Sequence, residues 1–266
     1  MALKVIDLFC GVGGLSYGFA NNQNFKIVAA NEILPQMAKA YALNHQGVKV
    51  FVDDIKNFGA DRVKEELGVY SEEIDIVVGG PPCQAYSTVG KRLADDPRGK
   101  LFQEYYRVIK EFNPQMFVFE NVKGLLSMQG GELFATIIQL FESLGYITYY
   151  KLLNAADYGT PQIRERVIII GTKLKSEFSY PEPTHGDTST NQDLFWNSLK
   201  PYRTLEDAIS DLPFIKTGEE GLNYQSQPQN DFQEIMRNGA PQKIMDHNAP
   251  NNNPNLVKLM ELLPDG

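Results

Sequence analysis

From residue 3 to about residue 172 the chain alternates short β-rich runs with stretches of helical character, and this alternation is the strongest constraint on its fold. The runs occupy 3–9, 26–31, 48–52, 74–78, 115–119, 146–153 and 167–170. Several are continuously apolar, such as Ile76-Val77-Val78 and Met116-Phe117-Val118-Phe119, the pattern of strands covered on both faces. Helix candidates lie between them near 14–22, 35–44, 60–67, 100–112 and 130–144. The pattern predicts an α/β fold with a doubly wound, mostly parallel sheet, with ligand sites at the carboxyl ends of its strands.

After about residue 172 the character changes. The segment 176–200 is polar and broken by prolines, and residues 217–254 are rich in Asn, Gln, Pro and Gly. Short helices are expected at 204–211 and 254–263. This part is too polar to form a core alone. The expected division is a catalytic domain over 1–172 and an irregular polar extension over 173–266.

No apolar stretch approaches the roughly 20 residues that span a bilayer. Two cysteines among 266 residues, Cys10 and Cys83, with no zinc-like spacing, point to a reducing compartment and no metal, hence to the cytoplasm. The formal net charge of −8 is awkward for a nucleic-acid binder, which normally presents a basic face.

Three motifs carry chemistry. Asp7-Leu8-Phe9-Cys10-Gly11-Val12-Gly13-Gly14 closes the first strand and opens a helix, a place where glycines let backbone approach a ligand. Glu32 ends the second strand, where a carboxylate can take both hydroxyls of a ribose, and Asp54 follows the third. NAD and S-adenosylmethionine both carry adenosine, so these features do not separate them. Next, Pro81-Pro82-Cys83-Gln84 sets a thiol on a stiff turn at the tip of an apolar strand, where it can attack rather than pack. Glu120 ends the following strand, so that thiol and carboxyl can converge. Last, Gln162-Ile163-Arg164-Glu165-Arg166 enters the seventh run, and arginine supplies fixed donors to a carbonyl or phosphate.

Taken together, Asp7 to Gly14, Gly80-Pro81-Pro82-Cys83-Gln84-Ala85-Tyr86-Ser87, Glu120-Asn121-Val122 and Gln162 to Arg166 resemble the C5-cytosine DNA methyltransferase family in order and spacing. The resemblance implies a Rossmann-like, S-adenosylmethionine-dependent methyltransferase acting on double-stranded DNA. Cofactor contacts would come from Asp7, Phe9, Gly11, Gly13, Gly14, Leu15, Glu32, Asp54, Ile55 and Pro81, with Phe9 stacking on adenine and Glu32 holding the ribose. Cys83 would attack C6 of a flipped-out cytosine, Glu120 would bond its N3 and amino edge, Arg166 would hold its O2 and help position the catalytic loop, and Arg164 would belong to the same catalytic set. That loop would be 84–99, hinged at Gly90, with Lys91, Arg92 and Arg98 near phosphates.

The family's target-recognition region and its two last conserved blocks have no counterpart here, since no Gly-Asn-Ala or Gly-Asn-Ser occurs. A second subunit carrying them, or a truncated chain, would account for this and for the acidic balance. Methylation by this chain alone is then expected to be slight. Two other readings remain at this stage: the tRNA-acting branch of the same family and a non-catalytic S-adenosylmethionine-binding subunit.

Overall fold

The computed structural model describes residues 2–82, 101–188 and 199–263. Seven strands form one sheet: β1 (Leu3–Leu8), β2 (Phe25–Glu32), β3 (Lys49–Val52), β4 (Ile76–Gly79), β5 (Met116–Val122), β6 (Ile147–Asn154) and β7 (Glu165–Thr172). Their order across the sheet is β3-β2-β1-β4-β5-β7-β6. The pairs β1/β2, β2/β3, β1/β4 and β4/β5 are parallel, and β7 runs antiparallel to β5. The mostly parallel α/β sheet expected from the sequence is therefore present. All seven runs become strands, and the helices α1 (Tyr17–Ala20), α2 (Pro35–Asn44), α3 (Ala60–Leu67), α4 (Leu101–Phe112) and α5 (Glu132–Ser143) fall where the helical stretches lie.

The chain winds outward from β1 through β2 to β3, then returns to place β4 on the other side of β1. That reversal is a topological switch point, which opens a crevice at the carboxyl ends of β1 and β4. Both the glycine-rich turn and the Pro81-Pro82 turn emerge there.

Beneath it lies a largely aromatic core. Phe117 and Phe119 on β5, Tyr105 on α4 and Phe141 on α5 are all wholly buried, with Phe117 and Phe141 centroids 4.2 Å apart. Tyr105 is admitted because its hydroxyl donates to the Val118 carbonyl at 2.9 Å. Opposite Phe117 on β7 stands Gly171, where an added Cβ would lie 1.9 Å from the phenyl ring. The glycine leaves the space that the ring fills.

The chain divides into two compact units. The first comprises residues up to Leu153 with Glu165–Pro181; the second comprises Asn154–Arg164 and the residues from Glu182 onward. The second unit thus takes the 154–164 loop from inside the span 1–172. It contains the parallel pair β8 (His185–Gly186) and β9 (Lys200–Pro201), and the helices α6 (Leu205–Ile209), α7 (Asp231–Arg237) and α8 (Pro254–Met260). Polar contacts hold it: Arg203 makes a two-pronged ion pair with Asp231, and Arg237 pairs with the buried Asp211 through Nε at 2.8 Å. Gln233, 1 % exposed, bonds the Asp207 carbonyl at 3.0 Å and the Ser210 hydroxyl at 2.9 Å. Helix α7 is a correction to the composition-based reading of 217–254 as irregular.

Candidate active site

The turn after β1 is organised by a carboxylate at the end of β2. Glu32 accepts the Gly11 N–H through one oxygen and the Leu34 N–H through the other, each at 2.9 Å. It is 8 % exposed, and each oxygen can accept one further hydrogen bond. Gly11 has φ +55°, and a Cβ there would meet nothing within 4 Å, so its backbone borders open space. Gly13 is different: with φ +95°, its missing side chain leaves the place occupied by the His45 ring, 2.1 Å from an added Cβ. A Cβ on Gly14 would also meet nothing. Phe9 takes φ +54°, a strained conformation for a non-glycine residue, and packs half-buried against the core.

Val12, Ile33 and Leu34, the chain neighbours of Gly11 and Glu32, are exposed apolar side chains. A buried carboxylate with free lone pairs beside uncovered apolar surface and open glycine backbone fits an adenosine-bearing group, which needs an acceptor for its ribose hydroxyls and cover for its base. Asp54 caps the short helical turn Ile55–Asn57 by accepting Lys56 N–H at 3.0 Å, and its side chain stays 41 % exposed. Ile55 is buried in the core. The neighbouring Asp53 is the more closely ion-paired of the two, held below the usual range by Asn57 and by Arg62 at 2.7 Å, whereas Asp54 lies 4.0 Å from Lys56 Nζ. Leu15, partly buried, packs against the cluster of Val5, Ile27, Ile76 and Val78.

Asp7 is wholly buried beneath the turn, not at its open side. Burial pushes its carboxyl up to about 7, against the nearby Ser16 and Tyr41 hydroxyls, which favour the charge, while Glu32 disfavours it. Burial, with the charges of Asp7 and Glu32, also pushes the Cys10 thiol well above its ordinary range. Cys10 is thus an inert packing thiol.

The second half of the site lies across the switch point. Glu120 on β5 and Arg166 on β7 form an ion pair, Oε1 to Nε 2.7 Å, with each side chain about one-quarter exposed. Gly80 passes directly against this carboxylate, where an added Cβ would lie 2.8 Å from Oε2. Gly79 similarly would collide with the Leu8 carbonyl and the Tyr105 ring. The buried Asn121 side chain donates to the Pro81 carbonyl at 3.0 Å and its own oxygen accepts the Val122 N–H. The exit of β4 is therefore pinned to β5. Cys83 and the 84–99 loop, with Gly90, Lys91, Arg92 and Arg98, lie outside the described residues.

Arg164 falls in the other unit from Glu120 and Arg166. Its backbone is clamped to Asn154, N–H to Oδ1 at 3.0 Å, while the Ala155 N–H bonds its carbonyl at 3.0 Å; its side chain is exposed. Sequence reasoning gave no role to Asn121 or Gly80, although both sit within the quoted motifs. Ser16, Tyr41 and His45 were missed outright, because no local pattern relates positions so far apart. Among the described residues no group of three His, Cys, Asp or Glu side chains is placed to hold a metal ion, and no helix is long and apolar enough to cross a membrane.

With this geometry in place, kinship can be stated. Residues 3–258 match the C-5 cytosine-specific DNA methylase family, and the chain belongs to it. The family's methyl donor is S-adenosylmethionine. The chain is 37 % identical to the type II methyltransferase M.AgeI of Thalassovita gelatinovora over 93 % of its own length, but covers only 60 % of that protein. It is 42 % identical to M.AquIA of Picosynechococcus over 80 % of its length, and there it covers 90 % of the relative. A crystal structure of an E. coli prophage-encoded protein described as a DNA modification methyltransferase superposes with TM-score 0.69 at 30 % identity, over 88 % of this chain and 63 % of that one.

Proposed function

We propose that this chain carries the catalytic machinery of a DNA cytosine-5 methyltransferase. The observation that carries the reading is the Glu120–Arg166 pair abutting Gly80, with Pro81 tied to Asn121. This arrangement directs the turn immediately before Cys83 toward a carboxylate and a guanidinium, and it lies one strand from the glycine turn. A thiol brought to this acid and cation would suit addition to an electron-poor ring.

In this reading the Cys83 thiolate adds to C6 of a cytosine taken out of the helix stack, since stacking otherwise covers that face. Glu120 bonds the N3 and amino edge, Arg166 holds Glu120 and the ring's O2, and the negative charge passes toward C5. S-adenosylmethionine would be held by Glu32, the turn from Phe9 to Gly14, and Asp54, and would supply an electrophilic methyl group to C5, with S-adenosylhomocysteine as the leaving group. Loss of the C5 proton and expulsion of the Cys83 sulfur restore the aromatic ring. Arg164, exposed on its clamped loop, serves the nucleic-acid backbone.

The catalytic and cofactor roles belong to 1–172, and 173–266 leads toward a base-reading region supplied by further polypeptide, linked or separate. A prokaryotic cytoplasm is the setting that suits the relatives. The test is transfer of labelled methyl groups to duplex DNA and to tRNA by the protein purified from its native locus with the adjoining reading frames. Label entering DNA, and lost on Cys83→Ala, supports the proposal; label entering only tRNA, or neither, overturns it.

A further inference from the structure

Beneath the glycine turn lies a closed cluster that the proposed chemistry does not use. Both carboxylate oxygens of Asp7 are buried without a hydrogen-bond partner, and so is Nδ1 of His45. Ser16, wholly buried, has its hydroxyl 3.2 Å from the Tyr41 hydroxyl, 3.2 Å from His45 Nε2 and 3.4 Å from the Gly13 carbonyl. His45 stacks on Tyr41 with centroids 4.2 Å apart and fills the space beside Gly13. The other titratable groups bearing on Asp7 are Glu32 from β2, Cys10 from the turn and Tyr105 from α4. None of them is a cation.

With His45 carrying its proton on Nε2 and so donating to the Ser16 oxygen, counting the remaining protons decides what this cluster does. Ser16 and Tyr41 each have one hydroxyl proton, whereas an ionised carboxylate only accepts. A charged Asp7 would draw the Ser16 and Tyr41 protons to itself, because a buried, unpaired carboxylate is costly. The Gly13 carbonyl would then lose its donor. A neutral Asp7 makes no such demand and can itself donate.

We infer that Asp7 is a positioning residue held as the neutral acid, which leaves the Ser16 proton on the Gly13 carbonyl and so fixes the glycine turn. Gly13 lies two residues from the Gly11 N–H that Glu32 holds. The protonation of a buried acid is thereby coupled to the shape of the cofactor turn. Burial, which pushes the Asp7 carboxyl up to about 7, supports the same assignment.

The test is carbon-detected NMR of the aspartate carboxyls, with the Gly13 and Gly14 amides followed in the same titration of the intact chain. The Asp7 carboxyl should titrate near neutrality, about three units above an ordinary aspartate, with the glycine amides shifting at the same midpoint. Asp7→Asn should abolish that amide shift. Ser16→Ala, a milder change, should leave the Asp7 titration in place and uncouple Gly13 from it. A carboxyl titrating in the ordinary range, glycine shifts that persist in Asp7→Asn, or coupling unaltered in Ser16→Ala would overturn the inference.

Discussion

The two units hold together by opposite means. The first buries a continuous apolar cluster that runs from Ile6 and Leu8 through Tyr105, Phe117 and Phe119 to Phe141 and Ile169. In the second, the buried hydrophobic side chains among the described residues are Ala156 and Ile244, and its other buried side chains are those of His185, Asp211 and Gln233. Each unit also buries an aspartate, and the contrast is the same. Asp211 has Arg237 as counter-charge, whereas Asp7 has no hydrogen-bond partner at all. The lesson is a division of labour. An apolar core makes a rigid platform on which strained and unpaired groups can be held for chemistry, while a polar frame needs every charge matched merely to persist.

Mutations can break this contrast, beginning with the largest expected effect. Cys83→Ala should lower methyl transfer on the order of 10⁴-fold or more, as loss of a nucleophile does, without moving the melting temperature. Glu120→Gln should reduce transfer about 10²- to 10⁴-fold, while its half-screened ion pair with Arg166 changes stability by less than about 1 kcal/mol in urea titrations. A large stability loss there would show that the site is part of the frame.

Phe117→Ala should destabilise the first unit by about 3–5 kcal/mol in chemical denaturation, whereas Ile244→Val in the second should cost about 1 kcal/mol or less. Arg237→Ala should cost about 3 kcal/mol, because it strands the buried Asp211. If Arg237→Ala were neutral and Ile244→Val severe, the polar-frame description would fail.

A separate prediction concerns pH. Asp7 has its folded-state pKa raised to about 7 from 3.8, so the folded chain retains a proton that the unfolded chain has released. Stability from this group therefore falls as pH rises from about 4 to about 7 and is flat above that, by about 4 kcal/mol in all. Asp7→Asn should remove this slope in thermal scans across the same window.

The platform was largely legible in the sequence because its strands are covered on both faces and read as apolar runs. Helices α2 and α3 have their bounds marked by Pro35 at the start of one and Gly68 in a left-handed conformation after the other. Helix α7 was not seen, although Asn230 caps it, Asp231 and Glu234 lie in its first turn and Arg237 in its last. Its residues are too polar for periodicity to register, and the local capping signal was outweighed by composition. In the site, motif residues such as Glu32, Glu120 and Arg166 were readable because strand ends converge. Their supports were not. Asn121 matters through the Pro81 carbonyl, and His45 through a glycine 32 positions away, contacts that only the folded chain creates. Asp7 was read as a cofactor contact, yet its carboxyl lies under the turn, because β1 ends facing the interior there.

The central claim is that the turn after β4 delivers Cys83 to a cytosine beside Glu120 and Arg166. The most direct measurement uses duplex DNA carrying 5-fluorocytosine, whose fluorine cannot leave C5 as a proton does, with the protein from its native locus and S-adenosylmethionine. A denaturation-resistant protein–DNA adduct should form only with the methyl donor, and mass spectrometry of the digested complex should place it on Cys83. No adduct, or one on Cys10, would contradict the account.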